Sequence, residues 1–345
     1  MREELRTRLV LLGASDEDIE RADTEGWLPL LAFERMLLPG ARRYDLAALV
    51  EMAGIDEDLA RGLWRAIGFP DVPSGVPVFT DRDVEAARLA FAQAPERDIA
   101  QGTLLQQVRV ISGSLARVAS VEAAAFTDSL ADMKADGIAD EEVALGILGD
   151  SRLDEVGELI DYVHRLQLRA AVWRCTVLAT VPDIAVAVGF ADLAGYTLLS
   201  ASLDAMELSE LVGRWEAVAY DAVATSGARV VKTIGDEVMY VGLTNEAIAA
   251  SLALRDAAAA ADLPAVRIGL AAGPVVSRDG DYFGPVVNLA SRLTELAVPG
   301  EMLVPAALRA ELGDDPGGRL GWVSKGVQQV RSIGPVEVFA VERSR

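Results

Sequence analysis

The spacing of hydrophobic positions changes twice along this chain. From Met1 to Asp150 they recur in short amphipathic stretches rich in Ala, Leu and Glu, interrupted at LLGAS, LLPGA and FPDVPSGVP. That pattern predicts helices joined by turns. Thr80 stands at an N-cap position, Asp81 and Asp83 follow in the first turn, and Val84, Ala87 and Phe91 then share one face, so TDRDVEAARLAFAQA reads as a helix. Residues 1–150 are therefore expected to form an all-helical domain.

In residues 151–176 the period tightens: Val156, Leu159, Val163, Leu166, Ala170 and Trp173 fall at steps of three and four. Such an a/d seam suits two parallel helices pairing across a dimer axis. It equally suits one amphipathic helix packed on its own chain, and either way this helix connects the two halves.

Residues 177–345 alternate strands with helices. A buried strand lies in TVPDIAVAVGFADL. In the helix that follows, Leu208, Leu211, Val212, Trp215, Val218, Ala219 and Ala222 share a broad apolar face. RVVKTIGDEVMYVGL reads as a hairpin turning at Gly235 and Asp236. A helix around EAIAASLALRDAAAAA, a strand at AVRIGLAAG and a Pro-initiated helix at GPVVNLASRLTELA complete the series. The order β-α-β-β-α-β predicts a ferredoxin-like core in an α+β protein.

Composition narrows the function. A chain of 345 residues, 51% hydrophobic, can bury two cores. Its net charge of -21 and pI near 4.5 argue against a nucleic-acid partner, because phosphate contacts need clustered Lys and Arg. The most apolar stretch, AAVWRCTVLATVPDIAVAVGF, is broken by Arg174, Pro182 and Asp183, so no transmembrane segment is expected. The lone cysteine, Cys175, excludes an internal disulfide framework, and the N-terminus lacks the apolar core of a signal peptide. The expected location is the cytoplasm.

The stretch from Arg43 to Ala90 resembles the helix-turn-helix module of MerR-type regulators, a helix pair followed by a short wing and a further helix. Its would-be recognition segment, IDEDLARGLW, opens with Asp56, Glu57 and Asp58, which would repel a phosphate backbone. A structural helical bundle is the expected reading.

Chemistry concentrates in the second half. Asp192 ends the first strand in FADLAGYT, where the small Ala194 and Gly195 leave room for backbone N–H groups to approach a polyphosphate. Asp236 sits at the hairpin tip, and in a β-α-β-β fold the first strand lies beside that hairpin. The two carboxylates can therefore converge on divalent cations. Lys232 lies on the same hairpin, and Asp281 precedes the last of these helices. A Lys donor and an Asp acceptor suit adenine, whose N1 accepts and whose exocyclic amine donates. Asn288 and Arg292, four residues apart on the helix opened by Pro285, project from one face.

FADLAGYT, VKTIGDEVM and DYFGPVVNLASRL resemble, in order and spacing, the three signature regions of class III nucleotidyl cyclase catalytic domains. The resemblance runs from about Val177 to the C-terminus, and with its helical first half the whole chain resembles soluble bacterial adenylyl cyclases with an N-terminal autoinhibitory domain. It implies that Asp192 and Asp236 bind two Mg2+ or Mn2+ ions and that Lys232 and Asp281 read the base of ATP. It further implies that Asn288 orients the ribose and Arg292 neutralises charge on the α-phosphate. The implied reaction is in-line attack of the ribose 3′-hydroxyl on the α-phosphorus, giving 3′,5′-cyclic AMP and pyrophosphate with no covalent intermediate. Lys325 and Arg331 are candidates for the triphosphate tail.

In this family the metal aspartates come from one subunit and the base-reading and transition-state residues from the other, which implies a homodimer with two shared active sites. The helical half is then a candidate regulator of assembly. Its signal has two open candidates. The only histidine, His164, lies one step past seam residue Val163 and could sense mild acid, since imidazole titrates near pH ~6.5. A lipid or other apolar ligand is the second. Competing readings are a guanylyl cyclase, whose members usually carry Glu and Cys where this chain has Lys232 and Asp281, and a nucleotide-binding transcription regulator with a degenerate cyclase domain. A diguanylate cyclase is a third, but IGDEV lacks the first Gly and the Phe of its GGDEF signature.

Overall fold

The computed structural model describes residues 2–92, 101–150, 152–180, 186–312 and 320–343. They divide into two compact units, Met1–Val172 and Trp173–Arg345.

The first unit is helical. Its described elements are α1 (Arg2–Leu11), α2 (Asp16–Glu25), α3 (Leu28–Leu37), α4 (Leu46–Ala53), α5 (Glu57–Ile67), α6 (Asp81–Ala92), α7 (Gln101–Ala135), α8 (Asp140–Leu148) and α9 (Arg152–Thr180), the last running past the unit boundary. Two small cores form. Leu5, Leu9, Leu28, Leu31, Val143 and Ile147 pack with Phe126, Leu130 and Met133 from the C-terminal half of α7. Leu46, Leu49, Phe79 and Val84 pack around α4 to α6, and Leu104, from the N-terminal half of α7, joins Leu59 and Leu63. The sequence reading expected only short helices here. Residues 101–135 contain no proline, and packing at both ends holds them in one helix.

Thr80 does open α6, but its hydroxyl and its N–H both donate to Asp83 Oδ2, each at 2.7 Å. Val84 is buried and Ala87 packs beside it, whereas the Phe91 side chain lies outside the described residues. The helix pair α4–α5 is followed by a loop whose Phe79 bridges back to Tyr44 ahead of the pair, and then by α6. Asp56 caps α5 by accepting from the N–H groups of Asp58 and Leu59 at 2.9 and 3.2 Å.

In the second unit the chain runs β1 (Val186–Leu193), α10 (Tyr196–Ser200), α11 (Ala205–Thr225), β2 (Arg229–Ile234), β3 (Glu237–Leu243), α12 (Thr244–Ala260) and β4 (Val266–Gly273). A short hairpin, β5 (Val276–Arg278) and β6 (Asp281–Phe283), then leads into α13 (Pro285–Leu296), β7 (Met302–Pro305), α14 (Ala306–Leu312), β8 (Leu320–Val330) and β9 (Gly334–Arg343). The main sheet has the order β2-β3-β1-β4-β7-β9-β8. Its first four strands are the antiparallel β2-β3-β1-β4 set of a ferredoxin-like core, as expected from the element order. The protein is α+β, with β7, β9 and β8 extending that core.

The pleat assigns the two faces. Ala187, Ala191 and Leu193 of β1 pack with Trp215, Ala219 and Val223 of α11 and with α12. Val188 and Phe190 pack on the other side with Met239, Ala271 and Ala290 of α13. α13 lies close enough that a Cβ on Gly269 would meet the Ala290 carbonyl oxygen at 2.2 Å and the Thr294 nitrogen at 2.3 Å. Gly269→Ala should therefore push α13 off the sheet. We expect a loss of about 1–3 kcal/mol in unfolding free energy, measured by denaturant melts.

Candidate active site

Parity also places the chemistry. Asp192 follows Val188 and Phe190 on the α13 face of β1, and its register partner on β4 is Arg267. The guanidinium grips the carboxylate from two sides: Nε donates to Oδ1 at 3.0 Å, and one Nη donates to Oδ1 and Oδ2 at 2.8 and 2.7 Å. Sequence reasoning missed Arg267. The available signal was a single charged residue inside the apolar run AVRIGLAAG.

Asp236 sits in the two-residue turn between β2 and β3, where Gly235 takes φ +63 as the first position of a tight hairpin turn requires. Burial pushes the Asp236 carboxyl up, and the negative charge of Asp192 pushes it further; hydrogen bonds from its own N–H and from that of Leu193 oppose the rise. The Asp236 carboxyl thus feels both the Asp192 charge and the Leu193 N–H at the end of β1, so the two predicted metal aspartates lie near one another. Glu237 is also pushed up, first by burial and then by Asp192, Asp236 and Glu295, with Lys232 opposing. Negative charge is thus concentrated at one end of the sheet, with Arg267 and Lys232 as its cationic partners.

Lys232 reaches this face because β2 bulges: Val230 pairs with Tyr240 but Lys232 pairs with Met239. Its ammonium forms an ion pair with Asp281 on β6, and both side chains are about one-third exposed or less. Tyr282 packs against Arg229, with the guanidinium carbon 5.8 Å from the ring centroid, and so ties the same hairpin to β2. The two residues expected to read a base are therefore adjacent.

Pro285 opens α13 as expected, and Ala290 and Leu293 form its buried stripe. Asn288 is exposed, and Arg292 is paired with Glu295 one turn on. Two other expectations are altered. The Ala194 N–H is already donated to the Ala265 carbonyl at 2.8 Å and is not available to a phosphate. Lys325 is engaged with Glu301, Nζ to Oε1 2.6 Å.

Two carboxylates without a third ligand fit a hard cation that also binds substrate oxygens. Among the described residues no group of three or more His, Cys, Asp or Glu side chains forms a closed metal cage. The charge accumulated around Asp192 and Asp236 is what a divalent ion would neutralise.

Residues 180–341 match the adenylate and guanylate cyclase catalytic domain family. An adenylate cyclase of Streptomyces coelicolor is 35% identical over 288 residues, 82% of this chain and 75% of that protein. An adenylate cyclase of Glutamicibacter nicotianae is 32% identical, covering 89% of this chain and 81% of that protein. A pH-sensitive adenylate cyclase of Mycobacterium tuberculosis is 33% identical, covering 91% and 82%. The crystal structure of the adenylyl cyclase CyaB from P. aeruginosa aligns over 47% of this chain and 95% of that one, with 26% identity and a TM-score of 0.42. The similarity to whole cyclases spans both the helical half and the domain that carries Asp192, Lys232, Asp236, Asp281, Asn288 and Arg292, and this chain belongs to the class III adenylyl cyclase family of phosphorus–oxygen lyases.

Proposed function

We propose that this protein converts ATP to 3′,5′-cyclic AMP and pyrophosphate in the cytoplasm, at two equivalent sites shared between the subunits of a homodimer. The convergence of Asp192 and Asp236, together with the ready-made Lys232–Asp281 pair, is the observation that carries the proposal; in the dimer each site would take the aspartate pair of one subunit and the Lys–Asp pair of the other. Asp192 and Asp236 would hold two Mg2+ or Mn2+ ions, which when bound activate the ribose 3′-hydroxyl and offset phosphate charge. Arg267, released from Asp192 when cations take its place, is a further positive group for the phosphates. Lys232 donates to adenine N1 and Asp281 accepts from the exocyclic amine; until a base enters, each keeps the other in place. Asn288 holds the ribose. Arg292 leaves Glu295 to neutralise the charge that develops on the α-phosphate.

The Lys232–Asp281 pair favours adenine over guanine, which argues against a guanylyl cyclase. A complete set of six residues argues against a degenerate, nucleotide-binding regulator. Sharing of sites is supported by α9: its seam residues Leu159, Val163 and Trp173 are exposed in the single chain, and Val156, Leu166 and Ala170 are only half-buried. Pairing with a second α9 would cover them and set the spacing of the catalytic units. The connecting helix of residues 151–176 thereby becomes the lever through which the helical domain inhibits or releases the catalytic domain of residues 177–345.

Two inputs to that lever have support. His164 lies on exposed α9 beside Asp161 and Arg165, and Arg165, then His164, holds the Asp161 carboxyl below its usual range. Protonation of His164 would add charge next to the seam residue Val163. In the helical unit, a cavity of about 260 Å³ lined by Trp27, Pro29, Leu30, Leu130, Ile138 and Val143 has Lys134 and Asp140 at its polar part. Its lining suits an apolar chain with an anionic head near Lys134.

Incubation with ATP and Mn2+ should give cyclic AMP, and GTP should give little product. Asp236→Ala and Arg292→Ala should each lower the rate by about 100-fold or more. Mixing the two variants should restore about a quarter of the wild-type rate, because half the dimers then carry one intact site. No product from wild type would end the enzyme reading, and no recovery on mixing would end the shared-site reading.

The pH–activity profile of His164→Ala should be flatter than that of the wild type under mildly acidic conditions. An unchanged profile removes His164 as the sensor. In the same assay, a long-chain fatty acid without effect on the full chain removes the lipid input.

A further inference from the structure

Adjacent residues of α11 hold the two sides of the β2–β3 turn. Trp215 is fully buried in the core between α11 and the sheet, and its Nε1 donates to the Asp236 carbonyl at 2.7 Å. Glu216 Oε1 accepts from Thr233 Oγ1 at 3.0 Å. Thr233 pairs with Val238, whose side chain belongs to the α11 core, whereas Lys232 pairs with Met239 on the α13 face. The turn is thus fastened from behind while its functional side chains face forward.

The flanking turn side chains add little to this hold. Ile234 is exposed, and Gly235 contributes no side chain. Packing a core ring requires only the shape and apolarity of phenylalanine; an indole adds an N–H that must find an acceptor when buried. Here that acceptor is the carbonyl of Asp236, the residue whose carboxylate lies near Asp192 at the end of β1. Fixing the Asp236 carbonyl fixes its peptide plane, and with it the direction of the Cα–Cβ bond. Two carboxylates from different strands must keep their separation closely to share cations, and supporting bonds of this kind commonly change metal affinity by about 10- to 100-fold.

We propose that Trp215 and the Glu216–Thr233 bond form a positioning clamp that sets where the Asp236 carboxylate stands relative to Asp192, and so sets the affinity for divalent cations. The proposal rests on the reading of Asp192 and Asp236 as the metal carboxylates. Trp215 and Thr233 are positioning residues and touch neither cation nor nucleotide.

The test is Mn2+ binding to the full chain without nucleotide, followed by the electron paramagnetic resonance signal of free Mn2+, alongside thermal unfolding and steady-state kinetics with ATP. Trp215→Phe keeps the ring and removes the N–H; Thr233→Val keeps the shape and removes the hydroxyl; Asp236→Asn serves as the control. Each clamp variant should weaken Mn2+ binding by about 10-fold, while kcat at saturating Mn2+ stays near the wild-type value. A role confined to packing would lower the melting temperature and leave Mn2+ affinity in the folded protein unchanged. That result in both variants, with binding lost in Asp236→Asn, overturns the clamp. Wild-type binding in Asp236→Asn instead overturns the metal reading itself. Should Trp215→Phe fail to fold, Thr233→Val, on a half-buried strand edge, decides alone.

Discussion

Strand β1 is buried on both faces, and the pleat that divides its side chains between two helical layers is the constraint on which the catalytic unit depends. Ala187, Ala191 and Leu193 fill the core toward α11 and α12, and Val188 and Phe190 fill the core toward α13. Asp192 is the next residue on the α13 side. A carboxylate continuing a buried stripe needs a partner, and the antiparallel register with β4 places Arg267 directly opposite. The same alternation brings Glu237 and, through the bulge in β2, Lys232 to that face. In a chain of net charge -21, the site concentrates yet more negative charge and balances it with two local cations.

The two helical layers have different tasks. α13 lies close over Gly269, and from its first turns project Asn288 and Arg292, so its distance from the sheet sets their reach. α11 lies on the opposite face and fastens the hairpin turn through Trp215 and Glu216. One layer carries Asn288 and Arg292, and the other bonds the turn that carries Asp236.

The helical unit combines covered and uncovered apolar surface. Both ends of α7 are packed into small cores, but Ile111, Leu115, Val118 and Val121 between them are exposed. Asp56 caps the free N–H groups of α5, and a phosphate would compete for the same positions. Seam residues Leu159, Val163 and Trp173 of α9 are exposed as well.

Much of this was legible in the sequence. The β-α-β-β-α-β order, the turn at Gly235 and Asp236, the Pro-initiated helix and the six chemical residues each depend on local pattern: a period, a turn-forming pair or a spacing of four along one helix. The rest depends on which strands meet. Arg267 looks like an ordinary strand charge until β4 pairs with β1. Lys232 would point into the α11 core without a bulge that only the β2–β3 pairing defines. The β5–β6 hairpin that carries Asp281, the undivided length of α7 and the occupied N–H of Ala194 also arise from contacts between distant segments. The sequence by itself determined the chemistry and the order of elements, because local periodicity and motif spacing encode them. Register, facing and the hold of α11 on the β2–β3 turn were decided by tertiary structure, because a one-residue shift between strands reverses every side chain and no local signal records it.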